Sequence, residues 1–282
     1  MKALHYTLLA ATLLAVAPML HAAPTESSIT KQLQNLRSVP TDKRPAATLQ
    51  LALDIRTLPA GMPKLKLADA LCHLSTEGDA GADTLQAVAD TLAKSLAETP
   101  IPAKGDQPPM PYFDLARLVR YEHVSATLDD PLYAKAADTL AANDAEIEKA
   151  DFTLKDLKGK KWTLSELRGK VVLVNFWATW CAPCRVEMGD LDRLSTYFDS
   201  QGLVVLSVTD EDGFKVNSML AGAAYHPTIL LDPGGSVHKL FHIEGIPRTF
   251  LFGRDGKLLA VAIDQRTMRQ FLAMLGKTDL HN

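Results

Sequence analysis

Val171-Val172-Leu173-Val174-Asn175-Phe176-Trp177-Ala178-Thr179-Trp180-Cys181-Ala182-Pro183-Cys184 is the stretch on which the fold turns. Val171 to Trp177 is β-branched and aromatic, the pattern of a buried strand, and Cys181 falls where the chain leaves that strand for a helix. Unpaired backbone N–H groups and the positive end of the helix dipole stabilise a thiolate at such a position, lowering its pKa. Pro183 suits the first helical turn, where its missing N–H goes unneeded. The two-residue spacing sets Cys184 one turn along on the same face, within reach of a disulfide. The arrangement predicts exchange chemistry: Cys181 attacks a substrate disulfide, and Cys184 then resolves the mixed disulfide. A zinc site would need a second ligand pair, yet the only other cysteine, Cys72, stands far upstream beside His73. A purely structural disulfide closing so short a loop would constrain little of the unfolded chain.

The rest of the chain sets the context. Its 282 residues are 47% hydrophobic with a net charge of −3, enough for two globular domains and without the basic excess of a nucleic-acid binder. No nucleic-acid partner is expected. Lys2, the apolar Leu8 to Leu20 broken by Pro18, and Leu20-His21-Ala22 read as a signal peptide over residues 1–23, cleaved near Ala22 or Ala23. The apolar core is short for a membrane anchor. The expected location is therefore the bacterial periplasm, where disulfides persist.

Residues 24–145 read as an α-helical domain. Ala and Leu recur at helical spacing over Asp83 to Glu98 and over Tyr112 to Leu128, and four to six helices are expected. Pro59-Ala60-Gly61-Met62-Pro63 and the proline-rich Pro100 to Pro111 mark the breaks. Cys72, flanked by Leu71 and Leu74, reads as a small core residue on a helix. Pairing between subunits, or a redox or metal role, are its alternatives.

Residues 146–282 change to strands. Asp144 to Lys149 ends a helix or serves as linker. Phe152-Thr153-Leu154 and Trp162-Thr163-Leu164 then form a hairpin around Lys158-Gly159. After the strand at Val171 come a helix to Phe198, a strand at Leu203 to Thr209, a helix from Phe214 to Gly222 and a strand at Thr228 to Leu231. Thr249 to Phe252 and Leu258 to Ile263 make a closing hairpin, with a helix at Arg266 to Leu275. This order predicts an α/β fold with a mixed sheet flanked by helices, preceded by an all-α domain.

Asp151-Phe152-Thr153-Leu154, Gly169 to Cys181, Leu230-Leu231-Asp232-Pro233 and Gly245-Ile246-Pro247-Arg248-Thr249-Phe250 together resemble the TlpA/ResA/CcmG branch of periplasmic thioredoxin-like proteins. The resemblance covers about Ala150 to Leu275 and implies a thioredoxin-like fold. It implies that Pro247 is a cis-proline facing the cysteines, leaving the Ile246 backbone as an edge for a substrate strand. Trp180, Ala182, Ile246 and Arg248 are the expected substrate-contacting positions, although Arg248 reads equally as a solvated side chain. Asn175 occupies the place of the buried thioredoxin aspartate, and an amide is no acid or base. Glu187 looks like the acidic residue of the ResA-type site, accepting a proton from Cys184 or tuning both thiol pKa values; the alternative is a solvated glutamate stabilised by the helix dipole. Arg185 reads as surface.

Cys181, Cys184, Glu187 and Pro247 are thus the catalytic candidates. His238 and His242, at i, i+4, would share a face if helical, but no third ligand is evident, so no metal site and no cofactor are expected. The family resemblance implies a reductase of oxidised periplasmic proteins, including apocytochromes and copper-site assembly factors, supplied with electrons by a membrane thiol donor. Self-association through the helical domain is a further expectation. An oxidase or isomerase, or a non-enzymatic copper carrier or assembly module on the same scaffold, are the competing readings.

Overall fold

The computed structural model describes residues 23–103, 105–222 and 225–281. The signal peptide expected over residues 1–23 lies, but for Ala23, outside the described residues. Among the described residues six α-helices come first: α1 Glu26–Asn35, α2 Arg44–Thr57, α3 Met62–Ser75, α4 Ala82–Glu98, α5 Met110–Glu122 and α6 Pro131–Lys149. Several starts are written in the sequence. Thr25 and Ser28 form a capping box on α1, Asp130 accepts the Leu132 N–H ahead of α6, and prolines occupy the first turns of α2, α3, α5 and α6. Ile29, Leu51, Ile55, Leu71, Leu92, Leu115 and Leu118 close a core of their own. Burying such side chains, each worth about 1.5–3 kcal/mol, holds helices that propensity alone would leave marginal.

The expected helix over Tyr112 to Leu128 is shorter than its apolar spacing suggests. α5 stops at Glu122 because His123 turns left-handed, with φ 58°, and the Ser125 N–H is taken by the Gln86 side chain. The division expected at residue 145 also falls inside a helix. α6 runs unbroken to Lys149, and its Ile147 joins the core beneath the sheet.

Then follow β1 Thr153–Asp156, β2 Lys161–Thr163, β3 Val171–Phe176, α7 Ala182–Phe198, β4 Leu203–Thr209, α8 Gly213–Leu220, β5 Thr228–Leu231, α9 Ser236–Leu240, β6 Arg248–Phe252, β7 Leu258–Ala262 and α10 Met268–Leu275. The strands form one mixed sheet in the order β2-β1-β5-β4-β3-β6-β7. β3, β4 and β5 run parallel, while β1, β2, β6 and β7 are antiparallel to their neighbours. This is a thioredoxin-like sheet with helices on both faces.

β3 is apolar at nearly every position because both its faces are covered. Val172, Val174 and Phe176 point to a core with Phe241, Phe250 and Phe252, while Val171 and Leu173 meet Leu191, Leu194, Phe198 and Phe271. α5 and α6 contact β7, the strand at one end of the sheet. A strand edge left bare would invite pairing with another chain, so this cover matters for solubility.

α9 ends at Leu240, and His242 lies past it with φ 50°. The two histidines consequently serve different partners. His238 Nδ1 meets Asp232 at 2.7 Å, and His242 Nε2 meets Glu146 at 3.0 Å.

Candidate active site

β3 delivers Trp177 and the turn after it to the end of the sheet. The Trp177 N–H bonds the Val208 carbonyl, the Cys181 N–H bonds the Ala178 carbonyl, and Glu211 accepts both the Thr179 N–H and its hydroxyl. Glu211 gives no sequence signal for this task, since it lies in the polar loop after β4. The turn so fixed makes Cys181 the N-cap of α7, with its Sγ accepting the Cys184 N–H at 3.2 Å. That bond and the helix dipole favour negative charge on Cys181.

Cys181 and Cys184 are joined by a disulfide of 1.97 Å. Both pack with Trp177, Val216 and Ile229. Trp180, before the pair, is 72% exposed, and Ala182 and Arg185 also face solvent. The Ile246–Pro247 peptide is cis, and the Ile246 carbonyl stands 3.8 Å from Cys181 Sγ. The sequence-derived proline loop and dithiol therefore meet in space.

Glu187, far from facing water, is 1% exposed. Its Oε1 accepts the Asn175 amide at 2.8 Å and its Oε2 accepts the Arg266 backbone N–H at 2.9 Å. Asn175 also donates to Thr249 Oγ1 on β6 at 3.0 Å. Burial pushes the Glu187 carboxyl up to about 8, against the pull of Arg266 and Asn175 on its charged form. Asn175, which cannot itself titrate, thus orients the group that does.

Arg266 extends the network. Its guanidinium pairs with Glu122 of α5, both side chains being buried, so the helical region reaches within one residue of Glu187. Arg248 is half-buried, not freely solvated. Its Nε has no hydrogen-bond partner, and burial followed by the charge of Arg117 pulls its pKa down. Arg266 and Glu122 carried no motif. Their pairing joins segments 144 residues apart, which local spacing cannot reveal.

Cys72 is buried on α3, its Sγ 3.7 Å from the Asp114 carbonyl, and burial raises its thiol pKa well above the ordinary value. It has the surroundings of an inert core thiol.

A dithiol at a helix start, opposed by a cis-proline within a thioredoxin-like sheet, defines the class of thioredoxin-fold thiol-disulfide oxidoreductases. Sequence comparison agrees. The AhpC/TSA family profile matches residues 148–261. The thiol-disulfide oxidoreductase ResA of Bacillus thuringiensis subsp. konkukian is 30% identical over 131 residues, which are 46% of this chain and 76% of that protein. ResA of Bacillus subtilis is 32% identical over 118 residues, 42% of this chain and 66% of its own. The solved lipoprotein thioredoxin Etrx1 of Streptococcus pneumoniae is similar at 26% identity, covering 45% of this chain and 99% of that one with a TM-score of 0.42. The chain belongs to the TlpA/ResA/CcmG-like family of thiol-disulfide oxidoreductases.

Proposed function

We propose that this chain is an exported reductase acting on disulfides of particular periplasmic proteins. The observation that carries the reading is Cys181 at the N-terminus of α7, taking the Cys184 N–H on its sulfur beside the Ile246 carbonyl. In the dithiol form the Cys181 thiolate attacks one sulfur of a client disulfide. A bond forms between Cys181 and the client, and the client's other sulfur leaves as a thiolate and takes up a proton. Cys184 gives its proton towards Glu187 and attacks Cys181 Sγ; the second client thiolate leaves, and the enzyme ends as the Cys181–Cys184 disulfide. Two electrons have passed to the client, and a membrane thiol donor returns them.

Glu187 suits the proton step because a carboxyl held near 8 by burial is matched to a thiol. The exposed Trp180 and Ala182 and the backbone of Ile246 offer a rim on which an extended client segment can lie. Arg248 adds positive charge behind it. The basic, apolar and small-residue order of the first residues supports export. Within this reading residues 24–145 select clients, and 146–282 carry the chemistry.

Equilibration with glutathione tests the direction of electron flow. A potential near thioredoxin's, about −270 mV, is expected; one near about −120 mV makes the protein an oxidant and overturns the assignment. Cys184→Ala should accumulate mixed disulfides with clients through Cys181, while Cys181→Ala should trap none.

A further inference from the structure

Beside the redox site, α3 and α5 share a cavity of about 290 Å³ with the proline loop, bordered by His73, Asp114 and Arg117 on one side and Glu244, Ile246 and Arg248 on the other. Asp69 and His73 are four residues apart on α3, so they share a helix face, and Asp114 meets them from α5. One donor atom from each of these three lies within 4.8 Å of the other two.

Asp114 is the informative member. Its side chain is only 5% exposed, and Oδ1 is occupied by Arg117 at 2.9 Å. Oδ2, aimed into the cluster, accepts no hydrogen bond; nor does the buried Asp69 Oδ1. His73 Nε2 stands 3.2 Å from Asp114 Oδ2, an ion-pair distance when the imidazole is protonated, but without the alignment of a hydrogen bond. Two ligands about 2.0–2.1 Å from a tetrahedral zinc ion lie about 3.3 Å apart. A buried acceptor without an aligned donor costs about 1–3 kcal/mol, more when charged, and a cation held between the three side chains would relieve that cost.

The charge balance agrees. Asp69, Asp114, Glu244 and Asp264 face Arg117 and Arg248, which leaves two negative charges when all four carboxyls ionise.

We propose that Asp69, His73 and Asp114 form a zinc-type divalent metal site next to the Ile246 loop, separate from the dithiol. Imidazole with carboxylates suits a first-row ion, and three protein ligands leave a position open. Cys72 is not among the ligands. The site needs no step of the exchange reaction and does not depend on its direction.

Tag-free full-length protein, stripped with chelator and kept in the Cys181–Cys184 disulfide form so that those sulfurs cannot ligate, is titrated calorimetrically with Zn²⁺. One ion per chain is expected, with at least about tenfold weaker binding in His73→Ala and in Asp69→Asn. Asp114→Asn should behave alike. Because its side chain is buried, circular dichroism checks its fold, and the exposed His73 variant decides if it fails. Co²⁺ should give a visible absorption band without thiolate charge transfer. No Zn²⁺ uptake by the wild type, or equal uptake by wild type and His73→Ala, overturns the site.

Discussion

Glu187 shows how a residue's surroundings reverse its apparent role. Three positions after Cys184 it resembles an ordinary solvated glutamate near the start of a helix, yet the sheet and the segment before α10 enclose it. Its carboxyl is about 4.5 when unfolded and about 8 when folded. Below about 4.5 it is protonated in both states and costs nothing. As pH rises towards 8 the unfolded chain releases its proton while the folded one holds it, so this group's contribution to stability falls across that window. Urea unfolding from pH 6 to 8 should therefore show stability declining in the wild type. The decline should be flatter in Glu187→Gln, since the other raised carboxyls, Asp69 and Asp264, reach only about 6. In the exchange reaction, loss of this base should slow resolution of the mixed disulfide about 10²-fold or more, read by stopped-flow with a model disulfide. An unchanged resolution rate would remove Glu187 from the proton path.

At the scale of elements, α5 has two jobs that its sequence does not announce. Its apolar face joins the helical core through Leu115 and Leu118, and its last residue, Glu122, reaches the buried guanidinium of Arg266. Removing one partner of such a pair leaves an uncompensated buried charge, worth about 3–5 kcal/mol. Glu122→Gln should destabilise the protein by about that amount in denaturant melts. It should also move the Glu187 titration downward, because Arg266 charge no longer shared with Glu122 acts more strongly on the carboxylate. Glu122→Leu combined with Arg266→Met should be milder than Glu122→Leu alone, because no charge is left stranded. A double variant as unstable as the single one would mean that packing, rather than charge, sets the cost. Apolar periodicity overruns the end of α5 for a related reason. Val124, Ala126 and Leu128 continue an apolar spacing and do pack on the helical core, but from non-helical chain after the left-handed His123.

For the molecule as a whole, the helical region both builds its own core and covers part of the thioredoxin-like sheet. Tyr121 touches both cores, Ile147 belongs to the second, and the Thr76 hydroxyl donates to Asp264 beyond β7 at 2.8 Å. Removing residues 24–130 strips α1 to α5 from this cover and should lower the melting temperature and promote concentration-dependent association, seen by light scattering. A monomer of unchanged stability would show the cover to be dispensable.

The strand-then-cysteine segment, the proline loop and the order of strands and helices were legible because they depend on neighbours in the chain: β-branched runs, a proline in a first turn, a dithiol at helical spacing. Cys181, Cys184 and Pro247 could be singled out on those grounds together with the family resemblance. The burial of Glu187, its support by Asn175 and Arg266, and the meeting of α3 with α5 around Asp114 could not, because each joins segments far apart in sequence. The amino-acid sequence by itself determined which residues can do thiol chemistry and the elements that carry them. Only the tertiary structure decided which charges lose water and which partners they meet, since desolvation and electrostatics follow distance in space rather than distance along the chain.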